Sequence, residues 1–433
     1  MRLKMFKNTL FPIITVIVLV LISCGNGTKS TKYEVQSTKV VDGDQKTYKS
    51  KLPTEDLLLP TIEVGANQTE NYLKLLETKR VGVVGNQSSV IFKDKNRKND
   101  HGDYTHLVDS LLSLNINVKK VFSPEHGFRG TADAGEKIQD GLDPKTGLPI
   151  ISLYGDNKKP KPEQLKGLDV LVFDIQDVGV RFYTYISTLH YVMEACAEAN
   201  IPLIILDRPN PNGHYVDGPV LEKANTSFVG MHPIPIAHGM TIGEYAKMIN
   251  GEKWLNNGVQ CQLTVISMAN YTHQTPYSLP IKPSPNLPND QSIALYPSLC
   301  FFEGTNVSVG RGTNKQFQIF GSPDLNKSHF TFSFTPQPNE GAKTPPQQGK
   351  KCYGEDLTQV EVKPGINLDY VIDAYAHTTD KIKFFNSFFV KLAGTTKLQE
   401  QIEKGLSEKE IKATWSKGLE DFKKIRNNYV LYQ

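Results

Sequence analysis

The chain has 433 residues and carries 49 Lys and Arg against 45 Asp and Glu, a formal net charge of +4 at pH 7. Three of the cations, Arg2, Lys4 and Lys7, sit in the first residues and no basic block follows, which argues against a nucleic-acid partner. The five cysteines form no C-x-x-C pair and no zinc-like spacing, so no metal is expected and no disulfide is implied.

The apolar run from Leu10 to Ile22 is short for a bilayer span, which takes about 20 residues, but suits an export signal. It ends in Leu21-Ile22-Ser23-Cys24-Gly25, which resembles a lipoprotein signal-peptidase box and makes Cys24 the expected lipidated residue. The expected localisation is therefore the cell envelope, anchored to a membrane through that lipid and facing the periplasm. Residues 24–55 are rich in Gly, Ser, Thr, Lys and Asp and read as a flexible tether.

Beyond the tether, four apolar, β-branched runs recur at helix-sized intervals: Arg80 to Gly85, Val118 to Phe122, Asp169 to Ile175 and Ile201 to Leu206. Runs of this kind are buried parallel strands. Helical patterns lie between them, at Tyr104 to Leu114 and Tyr183 to Asn200, so the order predicts an α/β fold with a Rossmann-like doubly wound sheet. The expected domains are 56–235 for the sheet and 236–433 for a smaller α/β unit. In the second, Thr241-Ile242-Gly243-Glu244 is a capping box that starts a helix through Ile249. Leu263 to Met268 reads as a strand, Tyr271 to Pro297 as a long ordered loop, and Thr335 to Lys351 as a flexible one. Asn367 to Ala376 and Glu408 to Asn427 are helical in pattern, the latter with Trp415, Leu419 and Phe422 on its core face.

In such sheets ligands bind where the strands end. Asn86 follows the first strand, Glu125 and His126 the second, Asp177 and Arg181 the third, and Asp207 and Arg208 the fourth. No G-x-G-x-x-G and no P-loop is present, so no nucleotide cofactor is expected. G-x-S-x-G and H-E-x-x-H are also missing, which leaves carboxylate chemistry. Glu125 is the candidate general acid, and Asp174, Asp177 and Asp207 are candidates for a second carboxylate, Asp177 the best placed, unless a substrate 2-acetamido group replaces the nucleophile. His126 and His238 are placed to orient or share protons with Glu125.

Longer motifs carry a resemblance. Ser123-Pro124-Glu125-His126-Gly127-Phe128-Arg129-Gly130, Phe173 to Tyr185 (FDIQDVGVRFYTY), Leu206-Asp207-Arg208-Pro209-Asn210-Pro211, His238-Gly239-Met240-Thr241, Pro283-Ser284-Pro285-Asn286, Glu303-Gly304-Thr305-Asn306 and Gly310-Arg311-Gly312-Thr313 are together similar to the NamZ family of exo-acting β-N-acetylmuramidases. The similarity runs from about Val81 to the C-terminus, with residues 335–351 as a local insertion. It implies two domains with a cleft between them and release of N-acetylmuramic acid from the non-reducing end of peptidoglycan fragments. It also implies that Glu125 is catalytic, whereas the choice of Asp177 rests on position alone. Asn86, Arg181, Tyr183, Asp207, Arg208, His238, Glu303 and Arg311 are the expected substrate contacts. Arg181 or Arg208 would grip the lactyl carboxylate that separates muramic acid from glucosamine. The competing expectation is a muropeptide-binding lipoprotein, which would keep the arginines and aromatics but would not need Glu125.

Overall fold

The computed structural model describes residues 61–93, 103–129 and 140–433. The expected leader, Cys24 and the tether lie outside these residues.

The strands are β1 (Val81–Gly85), β2 (Val90–Phe92), β3 (Tyr104–His106), β4 (Val118–Ser123), β5 (Gly141–Leu142), β6 (Pro149–Ser152), β7 (Val170–Asp174), β8 (Leu203–Leu206), β9 (Leu263–Ile266), β10 (Ile319–Ser322), β11 (Phe332–Phe334) and β12 (Cys352–Asp356). Seven of them form one sheet in the order β5-β6-β4-β1-β7-β8-β9, parallel except for the β5–β6 pair. The chain leaves β1 toward β4 on one side and returns as β7 on the other, so the order reverses at β1 and a crevice opens beyond its carboxyl end.

The helices are α1 (Thr69–Leu76), α2 (Leu107–Ser113), α3 (Pro162–Leu165), α4 (Tyr185–Ala199), α5 (Ile242–Gly251), α6 (Asp290–Leu299), α7 (Asp369–Ala376), α8 (Phe388–Ala393), α9 (Lys397–Glu403) and α10 (Glu408–Arg426). Side chains alternate across each strand, and the two sets enter different cores. Val81, Val83, Val121, Val170, Val172 and Ile204 pack with Tyr72 and Leu76 of α1 and Leu107 and Leu111 of α2. Val84, Phe122, Leu171, Phe173, Leu203 and Ile205 face the opposite way, onto Leu189 and Val192 of α4 and Tyr245 and Ile249 of α5. Coverage on both faces is why these strands are apolar along their whole length.

The second core runs without a break into the later residues, among them Phe302, Phe320, Leu357 and Trp415. There β10, β12 and β11 form an antiparallel three-stranded sheet, flanked by helices. Gly354 has to be glycine, because a Cβ there would overlap the carbonyl oxygen of Phe320 on the neighbouring strand. The large sheet continues past residue 236, since its last strand is β9.

Two expected elements differ from what forms. Tyr104 does not begin a helix: Tyr104–His106 pairs antiparallel with β2, and only then does α2 start, with His106 as its N-cap. The stretch from Tyr271 to Pro297 is not loop throughout, since Asn289 caps α6 in a reciprocal box with Ser292. Pro297 lies inside that helix and leaves the Ile293 carbonyl without its helical donor, and Asn212 Nδ2 donates to that oxygen instead at 3.3 Å. Residues 335–351 are built of successive turns, one closed by mutual backbone hydrogen bonds of Asn339 and Ala342.

Candidate active site

The crevice beyond β4 and β1 deepens into a cavity of about 290 Å³, near the lower end of the roughly 300–1,000 Å³ typical of ligand pockets. Glu125 and His126 reach it from the end of β4, and Tyr183, Thr184 and Tyr185 from the start of α4. Glu303 and Arg311 come from the segment around the smaller sheet, and Tyr296 and Phe317 add an aromatic wall. A larger depression of about 470 Å³ runs past His214, Tyr277 and Asp290, but its lining holds one carboxylate and no arginine.

The turn that delivers Glu125 is strained. His126 has φ 72° and Gly127 φ 80°, so two consecutive residues occupy the left-handed region, which only the glycine adopts without cost. That conformation reverses the chain at once after the strand and leaves the Glu125 carboxylate half-buried on the cavity wall. Thr184 Oγ1 donates to Glu125 Oε2 at 2.7 Å. Burial, followed by the Glu125 charge, pushes the nearby Tyr154 phenol well above its ordinary value. The Thr184 hydroxyl holds the carboxylate in place.

Beneath the cavity the tyrosines form a fixed floor. Tyr183 and Tyr185 both donate to the carbonyl oxygen of Pro283, at 2.8 and 3.1 Å. Asn86 Nδ2 donates to the Tyr185 hydroxyl at 2.9 Å, so Asn86 supports the floor and is not part of the lining. On the far wall Arg311 Nε donates to Glu303 Oε1 at 2.7 Å. Burial opposes the guanidinium charge, but the Glu303 carboxylate more than restores it and holds Arg311 above its usual value. Asn286, also on the wall, donates through Nδ2 to Gly341 O at 2.7 Å, while its buried Oδ1 has no hydrogen-bond partner among the described residues.

Besides Asn86, five expected site residues are not in the cavity, and each has a structural occupation. Asp177 is buried beside it, with Oδ2 accepting from Gly179 N at 2.7 Å and Oδ1 unpartnered; burial pushes its carboxyl up to about 7. It caps a tight turn and does not face substrate. Arg181 is fully buried and gives its Nη atoms to four carbonyl oxygens, of Pro219, Ile234, Leu392 and Ala393, at 2.7–3.0 Å. The last two end α8, so this guanidinium caps a helix C-terminus. Asp207 accepts from Thr241 Oγ1, Gly243 N and Tyr432 Oη at 2.7–2.9 Å, fixing the start of α5 and the chain's end to the sheet. Arg208 forms a bidentate pair with Asp174 at 2.6 and 2.9 Å, with side-chain exposures of 3% and 0%. His238 is buried and pushed down to about 3, mainly by that burial, so it stays neutral and shares no proton with Glu125.

Sequence reasoning missed Tyr154, Thr184, Asn286, Tyr296 and Phe317. Thr184 and Asn286 stand inside quoted motifs, but Tyr154 carries no local signal. Among the described residues, one group brings three metal-ligating side chains within 4.8 Å: His329, Asp373 and His377. They are away from the cavity lining; His329 Nε2 hydrogen-bonds the Asp373 carboxylate at 2.8 Å, and His377 Nδ1 hydrogen-bonds the Asp373 carbonyl oxygen at 3.0 Å.

Sequence profiles now place this arrangement. That of "Exo-beta-N-acetylmuramidase NamZ, N-terminal" matches residues 81–291, and that of the corresponding C-terminal domain matches 294–432. The chain belongs to the NamZ family. Bacillus subtilis (strain 168) has a curated relative, "Peptidoglycan beta-N-acetylmuramidase NamZ", 39% identical over 402 residues, covering 86% of this chain and 92% of the relative. Two solved DUF1343 family structures from Bacteroides fragilis also match. One is 48% identical with a TM-score of 0.77 and the other 28% identical with 0.72, each over 86% of this chain and 99% or more of its own. The NamZ boundary between the two profiles falls at α6. Glu125 and Tyr183 therefore come from the first NamZ part and Glu303 and Arg311 from the second, and the cavity needs both.

Proposed function

We propose that the chain is an exo-acting β-N-acetylmuramidase that removes N-acetylmuramic acid from the non-reducing ends of peptidoglycan fragments. The observation that carries this reading is Glu125, held by the Thr184 hydroxyl on the wall of a cavity of about 290 Å³ that it shares with Arg311 and an aromatic lining. Its membership of the NamZ family and its likeness to the Bacillus subtilis muramidase support the same substrate class.

In this mechanism the Glu125 carboxyl donates its proton to the glycosidic oxygen as the C1–O bond breaks. Glu303, the other carboxylate in the lining among the described residues, is engaged by Arg311, and the nucleophile in this reading is the substrate's own 2-acetamido oxygen. Glu125 then takes a proton from water as it opens the cyclic intermediate. Incubation with a disaccharide ending in N-acetylmuramic acid, followed by NMR, tests this. The expected first product is free N-acetylmuramic acid as the β anomer; initial release of the α anomer would remove the acetamido nucleophile, and no release would leave the muropeptide binder.

The same reading includes attachment to a cell-envelope membrane through lipid on Cys24, supported by the apolar run and the small residues around that cysteine. Incorporation of labelled palmitate by the full chain but not by Cys24→Ala is the expected result, and equal labelling would refute it.

A further inference from the structure

We propose that Arg311 is the specificity residue of this cavity and that its Nη atoms bind the carboxylate of the lactyl ether on muramic acid. The inference rests on the muramidase reading above. It reassigns the role that position in sequence suggested for Arg181 or Arg208, both of which spend their donors inside the protein.

Among the described residues, Arg311 is the one Lys or Arg that the cavity lining offers an anion. Its Nε is committed to Glu303, and neither Nη has a hydrogen-bond partner among the described residues. The side chain retains 16% exposure, so that free edge is accessible to a ligand. Glu303 on one side and the Phe317 ring, 5.3 Å from the guanidinium carbon, fix the plane of the fork. A fork fixed before the ligand arrives loses little entropy on binding and matches a carboxylate at two points. Glu125, Tyr154 and Arg311 line the same cavity, so one sugar ring held there can meet both the anion reader and the proton donor. Glucosamine lacks the lactyl group and would leave Arg311 with only its Glu303 partner.

The test compares 4-nitrophenyl β-glycosides of N-acetylmuramic acid and of N-acetylglucosamine. For Arg311→Gln, kcat/KM on the muramyl glycoside is expected to fall roughly 100-fold, with less than about a threefold change on the glucosaminyl one. Arg311→Lys, which keeps a point charge without the fork, should recover part of the loss. A substrate-side change avoids any folding artefact: the methyl ester of the lactyl carboxylate should cost the wild-type enzyme the same roughly 100-fold and cost Arg311→Gln nothing further. Equal losses on both sugars, or acid and ester used equally well by the wild type, overturn the proposal. Calorimetry with free N-acetylmuramic acid reads the same contact without turnover. Binding abolished by Arg311→Gln upholds the subsite even if the wild type hydrolyses nothing, a result that would sink the muramidase reading alone; unchanged binding rejects the subsite.

Discussion

Glu125→Gln is expected to lower kcat on muramyl substrates by about 10²–10⁴-fold, the range that a general acid–base group supplies, while KM changes only a few-fold. Gln keeps the size of the side chain and can still accept from Thr184 Oγ1, so the cavity should keep its shape. What it cannot do is give a proton to the leaving oxygen. An aryl glycoside with a good leaving group needs less protonation, so its loss should be smaller than that of the natural disaccharide. Undiminished turnover of the disaccharide by Glu125→Gln would take this carboxylate out of the reaction.

The second large effect concerns stability. Arg208→Ala should lower the unfolding free energy by about 3–5 kcal/mol, because it strands the Asp174 carboxylate, 0% exposed, at the end of β7 without its partner. The Arg208 Nη2 bond to the Val90 carbonyl is lost as well, which loosens the β2–β3 hairpin against the sheet. Denaturant unfolding followed by fluorescence measures the change, and the folded fraction should bind muramyl substrate with an unchanged KM. A variant of normal stability with a raised KM would return Arg208 to the substrate site and contradict the buried pair.

These two arginines show where strand-end reasoning succeeds and where it stops. The parallel strands could be read because both faces of β1, β7 and β8 are covered, which demands uninterrupted apolar residues; the segments after β4, β6 and β7 do reach the cavity, whereas Asn86 after β1 and Asp207 and Arg208 after β8 do not. Composition does not reveal which way a side chain turns after leaving its strand. Glu125 turns outward because His126 and Gly127 adopt positive φ, whereas Asp207 turns inward to hold α5 and Arg181 runs through the core to the end of α8, more than two hundred residues later. Helix caps, buried ion pairs and ligand contacts call for the same residue types, and only the long-range partner tells them apart. Tyr104 was misread for a similar reason: its apolar spacing fits a helix, but pairing with β2, a tertiary event, wins over the local pattern. The helix at Asp290 was hidden by the Pro and Asn residues around it, although Asn289 and Ser292 are a capping pair.

The central claim is that one cavity, walled by Glu125 from the first part of the chain and Arg311 from the second, holds the sugar that is cleaved. A crystal structure of Glu125→Gln soaked with a muramyl-ended disaccharide tests it most directly. The muramyl ring should lie against Tyr183, with the glycosidic oxygen within hydrogen-bond reach of residue 125 and the lactyl carboxylate on the Arg311 Nη atoms. A disaccharide bound instead in the depression beside His214 and Tyr277, with this cavity empty, would contradict the account.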